Sequence, residues 1–417
     1  MNQHNYDGAA AAFRGVLTDL QTAPQFNADG PDAESRLRRG FREHLNYTFA
    51  LGDPLQRVAE NLQLYPAVAR FVWMMSANNR LADIAFHVPK VADFTDDGLT
   101  VPGSSYGMRL RQPQPGLDQL LGAIGRLKSD KESRRAAVTI FQPMDAVRDS
   151  NDIPCAFGLF FYNRNGRLLT TVIMRSNNAF RLLPFNIFEF SMLAEVVAVE
   201  SELQCGPITH MAGSMHLYQG DENPVAEFLA SDKPSPTVMG PMPTEKLPLE
   251  EITKLAVFEA ALRHGSAALN ANTVANWLDR ATRDLHPYWA QLAYVLVAGV
   301  AANIDQRTLE LAKARVHLPL QPFLPPLKAG TPAPEQKSFP DLFGQDAESS
   351  KVVPFHRTAL RNKFAALAEA HEMTTATPIG AARLLRAQSI VLDRLAARGE
   401  EDMLTPEAFQ RALQDAG

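Results

Sequence analysis

The sequence predicts an α+β fold: a twisted sheet with flanking helices, followed by a helical C-terminal region. Three observations carry this. Of 417 residues, 46% are hydrophobic and 21% charged, enough apolar material for a sizeable core. Between residues 136 and 217 the apolar period shortens from helical to strand-like. Beyond about Pro248 the helical period returns. The length is long for one ordinary domain and natural for two.

Taken in order, residues 1–35 read as a poorly ordered N-terminal segment, an alanine run followed by Asn, Asp, Gly and Pro. From about Glu34 the pattern turns helical, and Val58 to Met75 is apolar helix. Val101 to Gly107 is a glycine-rich loop. Gly116 to Lys128 is amphipathic, with Leu117, Leu120, Leu121, Ile124 and Leu127 at helical spacing. Ala136 to Phe141, Ala156 to Asn163 and Arg167 to Arg175 are strands, the last two joined by a hairpin turn at Asn163-Arg164-Asn165-Gly166. Asn186 to Leu203 is a long apolar helix, and Ile208 to Leu217 a further strand. Leu249 to Arg315 reads as several helices. A Pro-rich linker occupies 318–340, and 355–415 is helical again, with Thr405-Pro406-Glu407 as an N-terminal signal. The domains are therefore 1–35, 36–248 and 249–417.

The net charge of −5 excludes a bulk nucleic-acid binder, which carries a basic excess. No signal peptide or membrane span is expected: the most apolar window, Trp289 to Ile304, falls short of a span. Two cysteines, Cys155 and Cys205, make no disulfide framework and fit a reducing, cytoplasmic setting. No metal-ligand spacing occurs among the ten histidines.

Cys155 follows Pro154 and opens a strand. Most free cysteines are small buried hydrophobes, whereas a reactive one needs a cation nearby to hold its thiolate. Arg134, Arg135 and Arg175 are the candidate cations. Asn186 could equally be a helix cap, and His216 and Tyr218 could be packing residues on one strand face.

The ordered set Pro154-Cys155, Arg175-Ser176, Leu183-Pro184-Phe185-Asn186-Ile187, Gly213 and His216-Leu217-Tyr218 resembles the thymidylate synthase family. The intervals match without a gap: 20 residues from Cys155 to Arg175, 11 on to Asn186, and 41 from Arg175 to His216. Upstream, Ser133-Arg134-Arg135, Tyr106-Gly107 and Trp73 fit as well. The resemblance spans about residues 55–235 and implies a sheet that forms a homodimer interface.

It also implies roles. Cys155 would add to C6 of a pyrimidine nucleotide, with a dUMP-like substrate favoured, and so activate C5 for methyl or hydroxymethyl transfer. Arg175 would stabilise the thiolate and bind phosphate with Ser176, and Arg134 and Arg135 would reach that phosphate from the second subunit. Asn186 would read the base edge, His216 and Tyr218 the sugar, and Tyr106 would assist proton removal at C5. Trp73 and Asn178 would meet the cofactor, 5,10-methylenetetrahydrofolate. The sequence departs from the family at Arg70, which replaces a glutamate and would reverse the local field; at Asn178, which replaces an aspartate; and at Ala156 and Ser214. Arg38, Arg39 and Arg57 are the candidates for a further phosphate arginine. The alternative is a nucleotide-binding protein of reduced catalysis, with residues 249–417 as an output or partner module.

Overall fold

A computed structural model describes residues 4–26, 40–232 and 237–328. The chain divides into two units, Met1–Glu335 and Gln336–Gly417. The second unit lies outside the described residues, as do most of the Pro-rich linker, the expected helices of 355–415 and the signal at Thr405.

The elements, in chain order, begin with β1 (His4–Tyr6), α1 (Ala9–Gln21), β2 (Gln25–Phe26) and β3 (Phe41–Leu51). Helices α2 (Leu64–Met75), α3 (Leu81–Ala85), α4 (Tyr106–Arg111) and α5 (Gln119–Ser129) follow. Then come β4 (Ala137–Thr139), β5 (Ala156–Arg164), β6 (Arg167–Met174), β7 (Asn177–Asn178), α6 (Leu183–Glu200) and β8 (Gln204–Tyr218). The described chain closes with α7 (Glu222–Ala230), α8 (Pro248–Gly265), α9 (Val274–Asp284), α10 (Pro287–Ala301) and α11 (Gln306–Lys313).

The strands form one mixed sheet in the order β1-β3-β8-β6-β5-β4, with β2 beside β3 and β7 beside β8. Antiparallel β5 and β6 are joined by the expected hairpin, where Asn165 and Gly166 both take positive φ (56° and 76°). Such a turn needs left-handed backbone at both central residues, which Asn and Gly supply most readily. Helix α6 is apolar on every side and almost wholly buried, as expected of a core helix.

Two stretches depart from the sequence reading. The segment 1–35, expected to be poorly ordered, contains α1. Ala9, Ala12, Phe13, Val16, Leu17 and Leu20 fall on one face of it and are fully buried. The alanines that suggested low complexity are strong helix formers beside a regular apolar stripe. Burying each large side chain contributes roughly 1.5–3 kcal/mol. The second stretch is β3, expected to be helical. Tyr47, Phe49 and Leu51 alternate as buried residues, and β3 pairs with β8 along its length. Cross-strand pairing overrode a weak helical pattern.

The helices after Pro248 do not stand apart. Trp289 and Leu296 of α10 and Leu255 and Phe258 of α8 join the same hydrophobic core as the sheet and α6. The Gly299 Cα lies so close to the Tyr65 ring that an added Cβ would overlap it at 1.9 Å. Among the described residues, no helix is long and apolar enough to cross a membrane.

Candidate active site

Register alone assembles the motifs at one end of the central strands β5, β6 and β8. Ala156 of β5 pairs with Met174 of β6, so Cys155 and Arg175 face each other across the hairpin. Arg175 N–H donates to the Cys155 carbonyl at 2.8 Å. Met174 pairs with Ala212 of β8, and Asn178 of β7 with His216. Residues far apart in sequence thereby converge without any long loop.

The Arg175 guanidinium folds over the Pro-Cys turn. Its Nε donates to Pro154 O at 2.8 Å, and Nη2 donates to Ile153 O at 3.1 Å and lies 4.0 Å from Cys155 Sγ. The remaining N–H groups face outward on an exposed side chain. Burial pushes the Cys155 thiol above its ordinary pKa; Arg175 and then Arg70 pull it back, and Asp152 raises it further. Burial outweighs the two cations, so the thiol is the resting form at neutral pH. Alkylation of Cys155 by iodoacetamide should therefore accelerate about tenfold per pH unit from pH 7 to pH 8.5, since the thiolate is the nucleophile. Cys205 will not obscure the signal, because burial raises it to about 12. A rate that is already flat at pH 7 would contradict this.

Tyr106 opens α4 and accepts a long hydrogen bond (3.4 Å) from Ala156 N–H, the residue after the cysteine. It stacks on Phe190 with centroids 6.2 Å apart, and burial raises its phenol, with the Cys155 charge adding to the effect. Gly107 lets α4 lie on α2, since a Cβ there would sit 1.5 Å from the Met74 carbonyl oxygen. The Tyr-Gly pair is therefore one device: the glycine permits the approach that aims the tyrosine.

Arg70 is where the sequence reading needs correction. It does not present a lone cation. Its Nε donates to Glu189 Oε1 at 2.5 Å and Nη2 to Oε2 at 3.4 Å, and the guanidinium lies 5.7 Å from the Phe185 ring centroid. Glu189 is 2% exposed and sits one helical turn beyond Asn186 on α6. The expected field reversal is largely cancelled, because Glu189 on α6 pairs with Arg70 on α2. A charge in that apolar helix was the available signal for Glu189, as for Glu195 and Glu200, because such a residue must be paired.

Ser176 Oγ lies 3.4 Å from His216 Nδ1, and His216 packs edge-on against Tyr218 at 5.0 Å. Burial lowers the His216 pKa, which keeps the ring neutral. Asn186 is no helix cap. It lies inside the first turn of α6, with its N–H bonded to Leu182 O, and is 4% exposed. Its Oδ1 accepts from Asn177 Nδ2 at 3.1 Å, and Asn177 Oδ1 lies 2.9 Å from His210 Nε2. Sequence reasoning missed Asn177 and His210; nothing in their spacing sets them apart.

Other expected residues are not brought in. Arg134 and Arg135 are exposed, and neither side chain bonds to another described residue. Arg57 is fully buried against Glu195 and Met192, far from a phosphate role. Arg38 and Arg39 lie outside the described residues. Trp73 and Asn178, the residues expected to meet the folate, each make local contacts. The Trp73 indole N–H donates to Asn78 Oδ1 at 3.0 Å, and its ring packs with Ile84, Val91 and Val101. Asn178 Oδ1 caps the following turn by accepting from Arg181 N–H at 2.8 Å.

The ends of these strands thus gather Cys155 beside Arg175, with the charge of Arg70 acting on the thiol, the Asn186 amide, and the Ser176 hydroxyl against the His216 imidazole. The thymidylate synthase family model matches residues 39–258, more than half of the 417. The match starts just before β3, runs through every residue of this cluster and ends inside α8. The chain belongs to the thymidylate synthase family.

Proposed function

We propose that the chain modifies C5 of a pyrimidine nucleotide, a uracil nucleotide such as dUMP first among them, through a covalent adduct between Cys155 and C6. At the family level, membership supports transfer of a methyl or hydroxymethyl group to C5. The observation that carries the finer reading is the pairing of Cys155 with Arg175 at the ends of β5 and β6, with Asn186 bonded to Asn177 just beyond Arg175. Cys155 first loses its proton to solvent; as the thiolate Sγ then bonds to C6, the C5–C6 π electrons move through C4 onto O4, leaving C5 nucleophilic. Asn186 would stabilise the charge on O4 by donating a hydrogen bond. Tyr106 would carry the C5 proton, and expulsion of the thiolate would restore the ring. Arg175 and Ser176 would hold the phosphate, and His216 and Tyr218 the sugar.

Family members are typically dimeric. Alternate residues of the central strands, such as Tyr162, Thr171, Ile173 and Met211, lie half-buried on the sheet face, and Phe160 is 38% exposed. A second copy packed there would bury them, and its Arg134 and Arg135, unengaged within one chain, would complete the phosphate site. The family's usual cofactor is 5,10-methylenetetrahydrofolate, which supplies a one-carbon unit at C5. Trp73 and Asn178 remain the residues that would meet it.

The test is release of tritium from C5-labelled dUMP, UMP, dCMP and CMP, with and without methylenetetrahydrofolate. Release from a uracil nucleotide supports the reading. Tight binding of all four without any release would favour the alternative, a nucleotide-binding protein. That alternative has one observation of its own: Glu189 on α6 is tied to Arg70 rather than free.

A further inference from the structure

We infer that His210 and Asn177 form a buried relay that fixes which way round Asn186 presents its amide, so that the pocket selects a 4-oxo over a 4-amino pyrimidine. This deepens the nucleotide reading and rests on it. Neither residue touches the space where a base would lie; both are positioning residues.

The direction of the relay follows from one obligate acceptor. Asn177 Nδ2 lies 3.5 Å from the backbone carbonyl of Asn178, as well as 3.1 Å from Asn186 Oδ1. A carbonyl can only accept, so the atom facing it must be the amide nitrogen. The oxygen of Asn177 then points at His210 Nε2, 2.9 Å away, and must accept from it. That sets the His210 tautomer with its proton on Nε2. The ring is 2% exposed, stacked on Phe49 at 5.0 Å, and burial lowers its pKa to about 3, so it stays neutral and the setting does not change across physiological pH.

Asn177, itself 1% exposed, hands the polarity on. Its N–H requires an acceptor, so Asn186 turns Oδ1 toward it and Nδ2 away. The Asn186 NH2 has no partner among the described residues and is not a sealed-in, unsatisfied donor, so it keeps access to solvent and is free to donate to a bound base. A donor there suits the O4 of a uracil ring, and the second lone pair of Oδ1 remains for N3–H. A cytosine ring would set its own 4-amino donor against the Asn186 donor, leaving both unpaired.

The experiment measures dissociation constants of dUMP and dCMP for the full chain and three variants, with thermal melting as the folding control. The wild type should favour dUMP by about tenfold or more. In Asn177→Asp the new carboxylate accepts from both His210 and Asn186. Asn186 then flips, turns Oδ1 to the base, and the dUMP/dCMP preference should fall at least about tenfold or reverse. His210→Phe frees the relay and should relax the preference by about threefold or more, while His210→Gln keeps a donor and should stay within about threefold of wild type. Folded Asn177→Asp and His210→Phe proteins with the wild-type preference would overturn the relay, as would a wild type that favours dCMP. Failure of the wild type to bind either nucleotide would overturn the nucleotide reading itself, and with it this inference; that outcome is read before any variant is made.

Discussion

Replacing Cys155 by Ser should abolish C5 tritium release, by on the order of 10⁴-fold or more, while nucleotide binding changes by no more than a few-fold. The nucleophile supplies a bond that no neighbour can replace, and removing such a group usually leaves only the binding contribution. Serine keeps the volume and the Arg175 neighbour, so Arg175, Ser176 and Asn186 still face the nucleotide. A hydroxyl beside that guanidinium, 4.0 Å from the present sulfur, is far less acidic than a thiol and is not activated by the field there. Single-turnover release alongside equilibrium binding checks the prediction. Unchanged release would remove covalent catalysis through Cys155 from consideration. Loss of binding together with release would mean that the side chain holds the pocket open rather than attacking.

The largest stability effect is expected at Glu195. Its Oε2 accepts from Arg57 Nη2 at 2.5 Å, and Arg57 is wholly inaccessible to solvent. Its other oxygen accepts from Met242 N–H at 2.7 Å, just ahead of α8. Glu195→Ala leaves a buried cation without a counter-charge and a buried N–H without an acceptor. It should lower the unfolding free energy by about 3–5 kcal/mol. Urea denaturation measures this directly. Restoring an apolar pair, Arg57→Met with Glu195→Leu, should recover much of the loss, because the penalty comes from the unpaired charge rather than from a large net value of the pair. A Glu195→Ala protein as stable as the wild type would show that Arg57 can escape to water.

The same helix explains the division of labour between the sheet and the C-terminal helices. Helix α6 carries three buried glutamates: Glu189 pairs with Arg70 near the cysteine, Glu195 with Arg57, and Glu200 accepts from Leu249 N–H at 2.9 Å where α8 begins. Tyr288 of α10 adds a contact to Met192. The helices beyond Pro248 are thus fastened to the helix that bears Asn186.

Much of the site could be read directly from the residues. Cys155, Arg175, Asn186, His216 and Tyr218 are fixed in order and interval because strand register converts spacing into position: a hairpin of set length must place Cys155 opposite Arg175. The strands and the Asn165-Gly166 turn were legible for the same local reason, period-two burial and a turn that demands positive φ. What the sequence could not decide was who partners whom across the core. Arg70 read as a reversed charge until Glu189, 119 residues away, was seen to neutralise it. Arg57 stood among three candidate phosphate arginines until Glu195 claimed it. The alanine-rich N-terminus and β3 misled because their structure depends on the core or sheet neighbour they pack against. Electrostatic pairing and strand pairing act between residues remote in sequence, so local pattern names the groups, while the tertiary fold decides their charge state, their orientation and the direction of each hydrogen bond.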